Sequence, residues 1–121
     1  MKKLHYAIAF FLILLSATLS IAQKTSNIEG HWDMKVESAL GSGSPTFDLK
    51  QAPDASITGT YKGRLGEAAV KGTVKSNIVN MEFTISGNVI VYDGTVDGDA
   101  MKGKVKFSVQ GEGTFAGTRK K

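Results

Sequence analysis

The sequence predicts an all-β protein, an eight-stranded antiparallel up-and-down barrel, and three observations carry that prediction. Apolar and polar residues alternate in short segments such as Gly30-His31-Trp32-Asp33-Met34-Lys35-Val36-Glu37, which puts Trp32, Met34 and Val36 on one face. Turn formers divide these segments at short intervals: Pro53-Asp54-Ala55, Ser76-Asn77, Gly87-Asn88 and Asp97-Gly98. Glycines recur on the inward side, in a bulky-x-Gly-x-bulky unit seen at Ile57 to Tyr61, Val70 to Val74 and Tyr92 to Val96. An inward glycine lets a strand bend sharply while a large neighbour refills the space. Eight such strands close most naturally on themselves, because closure removes the exposed edges of an open sheet. A two-sheet β-sandwich is the alternative.

The N-terminus sets the boundaries of the domain. Met1-Lys2-Lys3 is a basic start, Leu4 to Leu19 is mostly apolar, and Ser20-Ile21-Ala22 has the small-x-small form of a cleavage site. Residues 1–22 therefore read as a signal peptide cleaved after Ala22, 23–29 as a short polar lead, and 30–121 as one barrel domain. A secreted or periplasmic protein with no membrane span after signal removal is the expectation. The sequence has no cysteine, so neither a disulfide nor a lipid anchor on a cysteine is available. The formal charge of +4 falls to +2 once Lys2 and Lys3 leave with the leader, too close to neutral to imply a nucleic-acid partner.

In chain order, Gly30 to Glu37 forms the first strand, and Leu40 to Pro45 forms a loop into Phe47 to Gln51. Ile57 to Tyr61 and Ala68 to Val74 follow, with Leu49 opposite Gly59, Gly59 opposite Val70 and Ile57 opposite Gly72. Val79 to Ile85 comes next. A turn centred on Gly87-Asn88 would place Met81 beside Gly94 and Phe83 beside Tyr92. Asp-Gly between alternating runs is a strong signal for a two-residue hairpin turn. Centring it on Asp97-Gly98 puts Gly94 opposite Met101 and Tyr92 opposite Gly103. The last strand, Thr114 to Arg119, would set Phe107 opposite Phe115 and Val105 opposite Gly117.

These registers sort the turns into two ends. One end carries the tight Pro53-Asp54-Ala55, Ser76-Asn77 and Asp97-Gly98 turns. The other carries Leu40 to Pro45, Gly63 to Gly66 and Val109 to Gly113, and reads as a mouth. Leu40 and Leu65 lie in that rim, with Phe47, Tyr61, Phe107 and Phe115 pointing inward below it. Apolar pockets with a few placed polar groups suit small molecules. Tyr61 and Tyr92 would supply hydroxyls, and Met81 and Met101 an adaptable floor. At the tight end, closure would bring the guanidinium of Arg119 onto the indole of Trp32 as a structural pair.

Gly30-x-Trp32 on the first strand with Arg119 on the last resembles the calycin arrangement of lipocalins, fatty-acid-binding proteins and avidins. From Gly30 to Lys121 the chain also resembles a small barrel module of secreted bacterial proteins, found alone or appended to hydrolases. The phrases that carry this are Ile57-Thr58-Gly59-Thr60, Leu65-Gly66-Glu67-Ala68, Val96-Asp97-Gly98-Asp99-x-Met101-Lys102-Gly103 and Phe115-x-Gly117-x-Arg119. The resemblance implies a calycin-like barrel. Avidins draw on tryptophans from later strands to bind biotin, and this chain has only Trp32.

The chemistry-bearing residues point away from catalysis. Asp93, Asp97 and Asp99 suggest a calcium loop, but counting from Asp93 puts Lys104 where the bidentate acid must stand. Lys71, Glu82, Asp93 and Lys102 would form one outward row, an ordinary set of cross-strand charges and not an acid and base pair. His31 has no cysteine or second histidine in the mature chain with which to hold a transition metal. No enzyme activity, cofactor or metal is expected. Lys102, Lys104 and Lys106 line the outer face of the seventh strand beside Val89 and Val91, a surface that could meet a partner or simply guard against aggregation. The functional expectation is a non-enzymatic interaction or accessory module, meeting a cell-envelope or secreted protein. The alternative is a carrier for a small apolar ligand in the barrel mouth. A monomer is expected in either case.

Overall fold

The computed structural model describes residues 24–120, so the signal peptide reading of residues 1–22 lies outside the described residues. The chain forms a closed antiparallel barrel. Its strands are β1 (Gly30–Ser38), β2 (Gly41–Gly43), β3 (Thr46–Gln51), β4 (Ser56–Gly63), β5 (Gly66–Lys75), β6 (Ile78–Ile85), β7 (Asn88–Asp97), β8 (Ala100–Phe107) and β9 (Glu112–Arg119). From β3 to β9 neighbours follow chain order, β1 pairs with both β2 and β3, and β1 also pairs with β9 to close the ring. Eight of these strands make the wall, and β2 is an addition to it.

The addition corrects the loop expected from Leu40 to Pro45. Ala39 and Leu40 form a tight turn, and Gly41 to Gly43 pair back onto β1 before the ladder stops at Pro45. Proline has no N–H to give to a ladder, so β2 and β3 are one strand interrupted there. The Pro45 carbonyl still accepts a bond from the Met34 N–H at 2.9 Å.

Three registers also differ from the sequence expectation. The β7–β8 turn is centred on Gly98-Asp99, so Gly94 faces Gly103 and Tyr92 faces Val105. Gly98 takes the first central position with φ +59°. The β6–β7 turn is Ser86-Gly87, which pairs Met81 with Tyr92 and Phe83 with Ile90. On β9, Gly103 meets Phe115 and Met101 meets Gly117. These slips are by even numbers of residues. Side chains alternate with period two, so the inward set is unchanged while the partners differ. The pairings Leu49 with Gly59, Gly59 with Val70 and Ile57 with Gly72 stand as read.

Gly94 and Gly103 stand first against backbone, while Gly117 makes room for a bulky side chain as the sequence suggested, a Cβ there lying 2.2 Å from the Met34 sulfur. A Cβ on Gly94 would sit 2.1 Å from the Lys102 carbonyl oxygen, and one on Gly103 would sit 2.0 Å from that of Asp93. The ring of Phe115 lies over this Gly94–Gly103 pair, 2.8 Å from the same hypothetical Cβ of Gly94. A carbonyl in a ladder cannot swing aside. Gly94→Val and Gly103→Val should each cost near or above the upper end of the ~1–3 kcal/mol typical of overpacking. In a domain of this size that is a fall of more than about 10 °C in a thermal melt, whereas melts matching the parent would mean that neither position faces the neighbouring strand.

Candidate functional site

The two ends of the barrel differ in what fills them more than in loop length. At the closed end the lead before β1 folds under the barrel, with the Ser26 N–H donating to the Ser76 carbonyl at 2.8 Å. Gln51 secures it, accepting from the Ile28 N–H at 2.8 Å and donating to the Ser26 carbonyl at 3.0 Å. Ile28 and Trp32 are fully buried there, and the indole N–H donates to the Ile28 carbonyl at 2.9 Å. The Arg119 guanidinium lies 4.8 Å from the centre of the Trp32 ring. It donates to the Asp99 carboxylate at 2.9 Å and to the carbonyls of Gly98, Asn27 and Glu29 at 2.8, 3.0 and 2.9 Å. Gly30, at φ +134°, leaves the space in which the Arg119 stem lies.

Among the described residues no such plug covers the other end. A pocket of about 180 Å³ opens there, between the Ala39-Leu40, Arg64-Leu65 and Ser86-Gly87 turns and the short 3-10 turn Ser108–Gln110. Val36, Ile85, Ile90 and Phe107 form its walls, and Tyr61, Phe83 and Tyr92 its floor. Below that floor the barrel is filled. Tyr61 stacks on Phe83 with centroids 4.2 Å apart, and Phe47 meets Tyr92 edge-on at 5.0 Å. Phe115 tilts against Tyr92 at 4.9 Å. Edge-to-face and offset contacts of this kind favour a fixed aromatic layer.

Of the residues expected to meet a ligand, Leu40, Tyr61, Leu65, Tyr92 and Phe107 line this pocket. Phe47, Met81, Met101 and Phe115 do not. Those four are buried among the strands, and the aromatic layer stands between the methionines and the mouth. The residues that sequence reasoning missed include the apolar Val36, Phe83, Ile85 and Ile90 and a polar rim of Ser38, Ser42, Arg64, Asn88 and Gln110. The inward period already placed Phe83 and Ile90, but the slipped β6–β7 register hid their pairing.

Both tyrosines keep their protons. Burial pushes the Tyr61 phenol up, and the Leu65 N–H bonded to its oxygen only partly opposes this. Burial raises Tyr92 further, helped by the nearby Tyr61. Among the described residues Arg64 is the one charged side chain that lines the pocket, and it donates to the Ser42 carbonyl at 2.9 Å, tying the β4–β5 turn to β2.

No family model matches the sequence, and neither does any curated protein. Among solved structures, the redesigned β-barrel mFAP1 bound to DFHBI is similar, with a TM-score of 0.60 at 14% identity over 76% of this chain and 94% of that one. The Echinococcus granulosus fatty-acid-binding protein 1 gives 0.50 at 13% identity, over 76% and 96%. The Schistosoma mansoni fatty acid binding protein in complex with arachidonic acid gives 0.50 at 15% identity, over 77% and 96%. They are a redesigned β-barrel and two fatty-acid-binding proteins, and at these identities the likeness is one of fold.

On the outer wall the expected charge row is partly rearranged. Lys71 and Glu82 do pair, at 3.8 Å, but Glu82 lies beside Val91. Asp93 stands between Asn80 and Lys104, with the Asn80 amide donating to it, and Lys102 faces Thr95. Glu82 and Asp93 are therefore not side by side. The three lysines of β8 do run along its outer face, Lys104 beside Asp93 and Lys106 beside Val91.

Two predictions follow from the sealed end and the outer wall. Arg119→Ala removes five contacts at once and should cost about 2 kcal/mol or more, with a shift in the emission of Trp32. An unchanged spectrum would separate the two residues. His31 lies with Nδ1 2.7 Å from Asp48 and Nε2 3.2 Å from Asp33, and the hydrogen bond to Asp48 raises its pKa above the ordinary 6.5. A raised folded-state pKa adds stability that is complete below the unfolded value and lost as pH rises through the folded one. The melting-temperature gap between the parent and His31→Ala should thus be widest near about pH 5.5 and narrow above neutrality; a gap independent of pH would mean that the imidazole does not titrate against these carboxylates.

Proposed function

We propose that this chain is a secreted or periplasmic, non-enzymatic binding barrel that holds one compact, largely apolar molecule in its open end. The observation that supports this best is the asymmetry of the interior: Ile28, Trp32 and Arg119 seal one end, while the other keeps a pocket floored by buried aromatic rings. The volume of about 180 Å³ lies below the range of roughly 300–1,000 Å³ common for ligand pockets, so a small molecule suits it better than a long acyl chain. That the neighbours include a barrel bound to DFHBI and one in complex with arachidonic acid is compatible with a binding role.

A second reading, an interaction module that meets a cell-envelope or secreted protein, draws on the rim. Val109 is 97% exposed, Leu40 60% and Leu65 46%, all at the open end. Both readings use the same end of the barrel, and blocking the pocket separates them. Gly43 lines the pocket opposite inward-pointing Val36, and a Cβ there would meet nothing within 4 Å. Gly43→Phe should therefore fill the pocket without loss of melting temperature. Titration of the parent with isopropylbenzene, followed by amide NMR, should give saturable shifts around Tyr61, Phe83 and Ile90 that Gly43→Phe abolishes. Absence of saturable shifts in the parent would remove the carrier and leave the interaction module. For the leader, protein recovered from the envelope or medium of expressing bacterial cells should begin at Gln23, and an N-terminus at Met1 would overturn cleavage after Ala22.

A further inference from the structure

Tyr92 is only 2% exposed, yet its hydroxyl has no hydrogen-bond partner among the described residues. A buried phenol usually finds one, because leaving it unpaired forfeits the bonds it made to water. No fully enclosed side-chain polar atom lacks a partner among the described residues, so this hydroxyl reaches the space that the ring lines, which is the pocket. Its neighbour is similarly placed: the Leu65 N–H faces the Tyr61 oxygen, and no side chain or carbonyl takes the Tyr61 proton among the described residues. Gly63 makes room for this arrangement, since a Cβ there would lie 2.5 Å from the Tyr61 hydroxyl. The floor thus offers two O–H donors between apolar rings. Among the described residues it offers no cation, because the one charged residue of the lining, Arg64, belongs to the rim turn and is held on the Ser42 carbonyl.

Resting on the carrier reading, we propose that the pocket selects a compact apolar molecule bearing a neutral carbonyl oxygen, bound oxygen-first, with the Tyr92 and Tyr61 hydroxyls donating to that oxygen. A carbonyl brings two lone pairs and so can accept from both phenols. A carboxylate reaching the same floor would shed its water with no positive charge beside it, a large desolvation penalty. A purely apolar molecule would leave Tyr92 as unpaired as it is now. Tyr92 is therefore the residue that determines specificity, and its ring and its hydroxyl do separate work: the ring belongs to the aromatic layer with Phe47 and Phe115, and the hydroxyl reads the ligand.

Three probes of similar shape test this: acetophenone, isopropylbenzene in which the carbonyl oxygen is replaced by a methyl group, and benzoate in which the methyl becomes a carboxylate oxygen. In the parent protein acetophenone should bind at least about fivefold more tightly than either of the others, the range that one or two hydrogen bonds supply. Tyr92→Phe keeps the ring and should melt close to the parent. It should bring the acetophenone affinity down to that of isopropylbenzene while isopropylbenzene itself is unchanged or improved. Tyr61→Phe should reduce the same preference in part. If Tyr92→Phe weakens both neutral probes equally, or leaves the acetophenone preference intact, the hydroxyl does not read the ligand. If benzoate binds tightest, selection is by charge and the proposal fails. In each of those cases saturable binding blocked by Gly43→Phe would leave the carrier reading standing; no binding of any probe would remove both.

Discussion

Closure of the barrel depends on Arg119. A ring of eight strands gains its edge-free ladder only if the first and last strands meet in register, and β1 and β9 have the largest sequence separation of any pair in the fold. Arg119 stands opposite Trp32 in that ladder and carries the tie beyond it, to the β7–β8 turn through Asp99 and Gly98 and to the lead through Asn27 and Glu29. One guanidinium therefore joins the first strand, the last strand, a hairpin turn and the segment that plugs the end. Its planar fork of five donors suits such a junction, and a lysine could not reproduce it.

The same tie explains the turn that differed from its sequence signal. Asp97-Gly98 as the central pair would have left Asp97 in the turn and Asp99 on the strand. With Gly98-Asp99 central, Gly98 takes the positive φ, and Asp99 accepts from Arg119 by its carboxylate and its main-chain oxygen. A local preference worth a fraction of the hairpin's stability yields to a charge-assisted bond that also closes the ring.

Curvature and filling are coupled in the wall. Where Gly94 and Gly103 face each other the strands come too close for any Cβ, and Phe115 covers the gap. That ring then meets Tyr92, and through Phe47, Tyr61 and Phe83 the aromatic layer crosses the barrel. The layer divides the interior: everything beneath it is packed, and the space above it stays open because β2 and the neighbouring turns frame the rim without covering it. Pocket size is thus a consequence of how strongly the wall bends.

By itself the sequence determined the all-β class, the closed barrel, the inward-facing set and the pairing of Trp32 with Arg119. Each of these rests on alternation, which survives any slip of two or four residues, or on strand direction, which needs only a count. Part of the site was legible in the same way, since Leu40, Tyr61, Leu65, Tyr92 and Phe107 follow from facing and from the end at which they lie. The tertiary structure alone decided the partners across β6 to β9, the return of Gly41 to Gly43 onto β1, and the depth of the pocket. Partners depend on turn centres that Arg119 and the glycine contacts choose from across the ring. Depth depends on where aromatic rings from β3, β4, β6, β7 and β9 meet, and no local pattern encodes that meeting, because each ring is placed by a different strand and only closure brings them together.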